Sequence, residues 1–138
     1  MPLFLLRGKP GEIGTDHGKL KPCPTSPNCV CSDSIDPPHR VAPLKLTGGA
    51  SADAWPQVEA LVRAMPRTSI VTVSDNYLHA ECTSPLLGFV DDLELCLRAV
   101  EGIIAVRSAS RSGYYDFGVN RRRVEQLRTL LRSKKIAV

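Results

Sequence analysis

Polar and charged residues alternate with apolar ones in the second half of the chain, a pattern that would gather them on one face of a sheet. Successive side chains of a β-strand point to opposite faces. The residues that this parity brings together are His79, Glu81, Asp92, Glu94 and Arg107. A histidine among carboxylates could bind a metal ion or perform acid–base chemistry. We favour a solvated face with cross-strand charge pairs, because one histidine is few for a metal site, and we expect neither a metal ion nor a cofactor.

Asp91 has the opposite parity, which places its carboxylate among leucines of the core. A buried carboxylate requires a partner. On the predicted last helix, Arg123 falls between Leu127 and Leu130 at the edge of the buried arc. We therefore predict a structural ion pair between Asp91 and Arg123.

Arginines crowd the predicted start of the last helix, where the helix dipole disfavours positive charge by about 0.3–1 kcal/mol each. Stability alone would not select them there. The functional interpretation is an anion site, in which Arg107, Arg111 and Arg121 surround a phosphate or carboxylate together with backbone N–H groups of the helix start. It is compatible with the Asp91–Arg123 pair, since the arginines need not all have one role.

The five cysteines match neither a zinc-site spacing nor a Cys-x-x-Cys redox motif. Cys23 and Cys29 could close a small disulfide loop in an oxidising compartment. We interpret Cys82 as a small residue of the hydrophobic core. Cys29 or Cys31 could instead be a catalytic thiol beside a histidine, although nothing in the spacing requires it.

Hydrophobic periodicity predicts a helix over residues 53–65, strands over 69–73, 77–82, 89–97 and 103–110, and a last helix beginning near Asn120. Short connections between the strands favour an antiparallel arrangement. The predicted fold is a two-layer α+β domain, residues 51–138, in which both helices cover one face of a four-stranded antiparallel meander.

The first 50 residues contain eight of the eleven prolines and six of the ten glycines. This composition predicts an extended arm, residues 1–50, that packs on the domain without regular structure of its own. The apolar residues 3–6 are too few for a secretory signal, so we expect a cytoplasmic protein. A membrane-touching anchor or the remainder of an export signal is the alternative, and would make the protein periplasmic or membrane-associated.

The composition, with 43% hydrophobic and 23% charged residues among 138, predicts one globular domain and excludes a disordered chain. The net charge of +4 is uneven, because residues 51–97 carry two basic and seven acidic side chains, whereas residues 98–138 carry ten basic and three acidic ones. Basic and aromatic residues do not interleave, so we expect no specific nucleic-acid partner.

Two segments carry a family resemblance: Cys-Pro-Thr-Ser-Pro-Asn-Cys-Val-Cys-Ser at residues 23–32 and Arg-Ser-Ala-Ser-Arg-Ser-Gly-Tyr-Tyr-Asp-Phe-Gly-Val-Asn-Arg-Arg-Arg-Val-Glu at residues 107–125. Together with Phe-Val-Asp-Asp-Leu-Glu at 89–94, they resemble the uncharacterised family called domain of unknown function 1499, over residues 20–132. Two residues depart from the family pattern. The family more often has serine at the position of Cys31, and serine or threonine at the position of Tyr115.

The resemblance implies a mostly bacterial protein, often with an export signal or a membrane segment, and it implies no particular activity. It also implies that residues 26–29 and 107–123 are family features that meet in space. A polar pocket built there could bind a small anion, or it could be a clamp that pins the arm to the domain.

The leading hypothesis is a non-enzymatic domain that binds an anionic small molecule, a lipid headgroup or a protein partner through an arginine-rich pocket. The candidate ligand-binding residues are Asn28, Cys29, Arg107, Ser110, Arg111, Asp116, Asn120 and Arg121. One alternative is a hydrolase that uses Asp116, His79 or Cys29, although the chain lacks the common hydrolase and nucleotide-binding motifs. A second is a structural module that binds a protein partner through an exposed apolar patch.

Overall fold

The computed structural model describes residues 8–48 and 51–138 and has an α+β architecture. The elements in chain order are β1 (Thr15–Asp16), β2 (Lys19–Leu20), β3 (Cys29–Cys31), β4 (Leu44–Lys45), α1 (Ser51–Ala64), β5 (Thr68–Val73), β6 (Tyr77–Thr83), β7 (Val90–Arg98), β8 (Ile103–Ser110) and α2 (Val119–Ser133). The apolar residues 3–6, interpreted above as an anchor or signal remainder, lie outside the described residues. Within the described part, neither helix has the length and apolar character needed to cross a bilayer.

The four strands predicted from the sequence form an antiparallel series β5-β6-β7-β8, and the sheet continues beyond them. The arm supplies β3 and β4, which both pair antiparallel with β8, so the main sheet has six strands rather than four. β1 and β2 form a separate two-stranded sheet. The expectation of an arm without regular structure is wrong because stretches of two or three residues between prolines are long enough to pair with a strand edge.

The core lies between the helices and one face of the main sheet. Its sheet side contains Leu78, Ala80, Cys82, Leu93 and Leu95, as strand parity predicts. Its helix side contains Val58, Val62, Val124, Leu127 and Leu131. Both helices thus cover the same face. Phe89 does not join them, because it precedes β7 in a loop and its side chain is exposed.

Two arginines of α2 hold the proline-rich arm through its backbone. Arg128 donates from Nη1 to the Pro43 carbonyl at 2.9 Å and from Nη2 to the Ala42 carbonyl at 2.7 Å. About two helical turns earlier, Arg121 donates to the carbonyls of Pro38 and Arg40 at 3.0 and 3.1 Å. Prolines interrupt strand pairing here, so the guanidinium groups supply hydrogen bonds that a sheet would otherwise provide.

Arg128→Ala should lower the free energy of unfolding by about 1–3 kcal/mol, because it leaves two arm carbonyls without their donors. The arm amides near Val41 should also exchange faster with solvent than in the wild type. Urea unfolding and amide hydrogen exchange measure the two effects.

Arg132→Ala is the matched control, because Arg132 is exposed on the same helix and forms no ion pair within the described residues. Equal effects of the two substitutions would contradict a specific role of Arg128 in holding the arm.

Candidate functional site

The face of the sheet opposite the helices is buried, so the expectation of a solvated face is wrong. Glu94 is 0% exposed and Asp92 2%, and His79 and Arg107 are also buried. The arm covers this face: the Gly14 amide donates to Glu94 Oε1 at 2.7 Å, and Arg107 Nη2 donates to the Pro22 carbonyl at 3.3 Å. Strand alternation correctly assigns these residues to one face but does not reveal what covers it.

Charges on this buried face are matched within the chain. Arg111 donates from Nη2 to Glu81 Oε2 at 2.6 Å and from Nε to Asp92 Oδ2 at 2.9 Å. His79 Nε2 lies 2.6 Å from Asp92 Oδ1. A second group joins Arg107 Nη1 to Glu94 Oε2 at 3.2 Å, and Tyr77 donates its hydroxyl to Glu94 Oε1 at 2.7 Å.

Hydrogen bonding favours the charged forms of Asp92 and Arg111. Burial alone would raise the pKa of Asp92, but hydrogen bonds from Arg111 and His79 outweigh it and hold that pKa below the ordinary carboxyl value. The hydrogen bond to Asp92 in turn raises the pKa of Arg111. Nowhere in residues 8–48 and 51–138 do three or more histidine, cysteine or acidic side chains form a group that could hold a metal ion.

The three arginines of the predicted anion site do not converge. The guanidinium groups of Arg107 and Arg111 are bound to carboxylates, and each side chain is only 5% exposed. Arg107 lines a cavity of about 320 Å³ beside Cys23, whereas Arg121 binds arm carbonyls and lines a groove beside Met65. The geometry therefore gives no support to an anion held jointly by these three side chains.

The family segments do meet, around Asn120. Its Nδ2 donates to the Asn28 carbonyl at 3.2 Å and to Ser110 Oγ at 2.9 Å, and Asn28 Nδ2 donates to the Gly113 carbonyl at 2.8 Å. These bonds join the arm, the end of β8 and the start of α2. Most of the polar atoms proposed as ligand contacts are thus engaged in joining parts of the chain.

The position at the start of α2 where an anion would bind is filled by Asp116. Its carboxylate accepts from the backbone N–H groups of Gly118 and Asn120 at 2.9 and 3.0 Å. Burial would raise the pKa of Asp116, but these hydrogen bonds outweigh it and lower the pKa. An external anion would have to displace this carboxylate to reach the same N–H groups.

Asp91 and Arg123 form an ion pair, with Asp91 Oδ2 2.8 Å from Arg123 Nη1. Arg123 Nη1 also donates to Asn120 Oδ1 at 2.8 Å and to Ser108 Oγ at 3.1 Å. Burial raises the pKa of Asp91 above the ordinary value even though the Arg123 charge acts to lower it.

Cys23 and Cys29 form a disulfide, and Cys31, Cys82 and Cys96 are buried thiols. Burial raises the pKa of the Cys31 thiol, which disfavours the reactive thiolate. The hydrolase candidates are dispersed: Cys29 is oxidised, His79 binds Asp92, and Asp116 caps α2. No hydrogen bond or ion pair joins any two of these three residues in the described part of the chain.

Sequence reasoning missed a pocket of about 340 Å³ at the edge of the sheet where α1 ends and α2 begins. Three arginines line it, Arg67, Arg122 and Arg123, against the single carboxylate Asp91. Arg67 donates to the Thr83 carbonyl at 3.2 Å and Arg122 to the Phe117 carbonyl at 2.9 Å, and neither forms an ion pair within the described residues.

Arg67 lies in the acidic part of the sequence, so the charge pattern gave no signal for this pocket. Its backbone has a φ of 51°, a left-handed conformation that is uncommon for arginine and costs about 1–2 kcal/mol. The turn that follows α1 thus holds a cationic side chain over the pocket in a strained backbone conformation.

Asp92→Asn should lower the free energy of unfolding at neutral pH by about 3 kcal/mol, because it leaves buried positive charge incompletely matched. The folded-state pKa of Asp92 lies below the unfolded value of about 3.9, so the stabilisation is complete above about pH 4 and is lost as the pH falls through the folded-state pKa. The difference between wild type and variant should therefore narrow in acid. Urea unfolding at a series of pH values measures it.

Asp75→Asn, at an exposed carboxylate without an ion pair in the described structure, is the control and should change stability little at any pH. A penalty for Asp92→Asn that stays constant into strong acid would contradict the role assigned to the Asp92 charge.

Residues 19–131, most of the chain, match the model of a family described as "Protein of unknown function (DUF1499)". No curated protein and no solved structure matches the chain.

Proposed function

The chain belongs to the DUF1499 family, and we propose that it acts as a binding module that holds a small anion in the pocket of Arg67, Arg122 and Arg123. The observation that carries this proposal is the charge balance of the pocket, three guanidinium groups around one carboxylate. Asp91 neutralises Arg123 at 2.8 Å, so two positive charges remain unmatched.

This pocket differs from the interior of the protein, where arginines are paired. Arg107 and Arg111 bind carboxylates on the sheet face, and Arg98 binds Asp33. Folding thus accounts for those side chains. It does not account for two arginines without carboxylate partners at one hollow, which favours an anion as the missing partner.

The chemistry of the pocket suits a phosphate or a carboxylate. Guanidinium groups bind both through paired N–H···O hydrogen bonds. Ser84 and Gln126 add polar side chains to the lining, and Met65 and Val119 add apolar surface. A volume of about 340 Å³ is at the small end of ligand pockets, so the ligand or bound headgroup is small.

Arg67→Gln and Arg122→Gln should each weaken binding of inorganic phosphate or malonate at least about tenfold, the loss expected for one charge-assisted hydrogen bond. Isothermal titration calorimetry measures the affinity. Both side chains are exposed, so the stability of each variant should stay near that of the wild type.

Arg132→Gln removes an equal charge from the far end of α2 and should leave the affinity unchanged. Binding that is undetectable in the wild type, or lost equally in Arg132→Gln, would overturn the proposal. Arg111→Gln should lower stability while leaving the anion affinity intact, which separates this pocket from the site expected from the sequence.

We also propose an oxidising compartment outside the cytoplasm, on the basis of the Cys23–Cys29 disulfide. In protein isolated from its own cells after acid quenching, iodoacetamide under denaturing conditions should label three of the five cysteines. Prior reduction should raise the number to five. Five labelled cysteines without reduction would show that the bridge is open in the cell and would contradict this assignment.

A further inference from the structure

Two loops project from the same edge of the main sheet. One connects β6 to β7 and the other connects β8 to α2. They are neighbours because the strands that carry them are paired, with Thr83 opposite Val90 and Asp91 opposite Ser110. The turn between α1 and β5, which contains Arg67, lies at this edge too, since Thr68 pairs with Cys82.

These loops expose an unusual number of large apolar side chains. Leu86 is 92% exposed and Phe117 86%, and four further large side chains on the two loops are also exposed. The other four are Leu87, Phe89, Tyr114 and Tyr115. Members of both loops, Leu87 and Phe89 with Tyr115 and Phe117, line one hollow of about 430 Å³. Single exposed apolar residues are normal in proteins, but a group gathered at one edge marks an interaction surface.

Phe117 shows that this exposure is not required by the fold. Its backbone has a φ of 53°, in the left-handed region, where asparagine or glycine is more favourable than an aromatic residue. Its ring is largely in solvent, so packing does not offset the strain. Strain of this kind is concentrated at functional positions in proteins.

Exposed arginines lie beside the exposed apolar side chains at the tips of the two loops. The loop residues 84–90 and 112–115 carry no charged side chain. The arginines Arg67, Arg121 and Arg122 lie beside them, exposed and without ion pairs in the described structure. Of the nearby acids, Asp116 accepts from backbone N–H groups, Asp91 pairs with Arg123, and Glu125 pairs with Arg128. Aromatic and aliphatic tips beside basic side chains are the pattern of surfaces that bind anionic bilayers.

We propose that this edge docks on an anionic phospholipid bilayer, with Leu86, Tyr115 and Phe117 entering the interfacial region. Arg67 and Arg122 then contact lipid phosphates, a step that rests on the anion site proposed above, whereas insertion of the apolar tips does not. The two features adjoin in the fold, because the Arg67 pocket and the aromatic hollow share Ser84, Asp91 and Val119 as lining residues.

Sedimentation with vesicles tests the proposal. The wild type should bind vesicles of phosphatidylcholine and phosphatidylglycerol, and bind pure phosphatidylcholine at least about tenfold more weakly, with the difference reduced by salt. Leu86→Ser and Phe117→Asn should each reduce vesicle binding about tenfold or more. Asparagine is favourable at the left-handed backbone of Phe117, so the stability of that variant should not fall.

Val100→Ser is the matched control, because Val100 is equally exposed but lies in the β7–β8 turn at the opposite edge of the sheet. Its vesicle binding should equal that of the wild type. A Phe117→Trp variant gives a second reading, since its fluorescence should be quenched by lipids brominated in their acyl chains, whereas that of Val100→Trp should not.

The outcomes separate this inference from the proposed anion site. If the wild type binds inorganic phosphate but no vesicles, or if the tip variants keep full vesicle binding, bilayer docking is overturned and the anion site remains. If the tip variants lose vesicle binding while Arg67→Gln and Arg122→Gln lose neither vesicles nor phosphate, docking stands and the anion site fails. Loss in Val100→Ser equal to that in the tip variants also overturns docking.

Discussion

Burial of the charged sheet face under the arm is the constraint on which the rest of the structure depends. Taking carboxylates and guanidinium groups out of water costs several kcal/mol per ion unless each finds a partner. Arg111 meets this requirement with two carboxylates, and Arg107 and Tyr77 meet it around Glu94. The arm excludes the solvent and also contributes hydrogen-bond partners, namely the Gly14 amide for Glu94 and the Pro22 carbonyl for Arg107. Arm and sheet therefore have to be considered as one unit.

This constraint explains why part of the positive charge of residues 98–138 does not reach the surface. Inside the fold, Arg107 and Arg111 bind carboxylates, and Arg128 donates to backbone carbonyls of the arm. What distinguishes an arginine available for an anion is an exposed side chain without a carboxylate partner. Arg67 and Arg122 meet that criterion within the described structure, since each donates only to a backbone carbonyl, and both lie beside the loops with exposed aromatic side chains.

Local patterns in the sequence predicted much of the fold. The strand expected over residues 103–110 has the bounds Ile103–Ser110, and parity assigned Leu93 and Leu95 to the core and Asp92 and Glu94 to the opposite face. The arm strands could not be predicted, because β3 and β4 are two or three residues long and depend on the edge of β8 for their pairing. The burial of Arg107 and the pairing of Arg111 with Glu81 and Asp92 were not predicted for a related reason. A residue type and a parity do not reveal which distant segment covers a face, and the pocket at Arg67 is formed by elements far apart in the sequence.

The pairing of β3 with β8 also affects how the chain can fold. Cys29 pairs with Ala109, which is 80 residues further along the chain. β8 is the last strand in chain order. Closure of so large a loop is entropically costly, and contacts of this separation slow folding. During synthesis the arm emerges first but cannot dock until β8 and α2 have been made. The Cys23–Cys29 bridge, by contrast, spans only six residues and can close earlier. The arm can thus reach the sheet with part of its shape already set, and its docking is the step that removes the charged face from water.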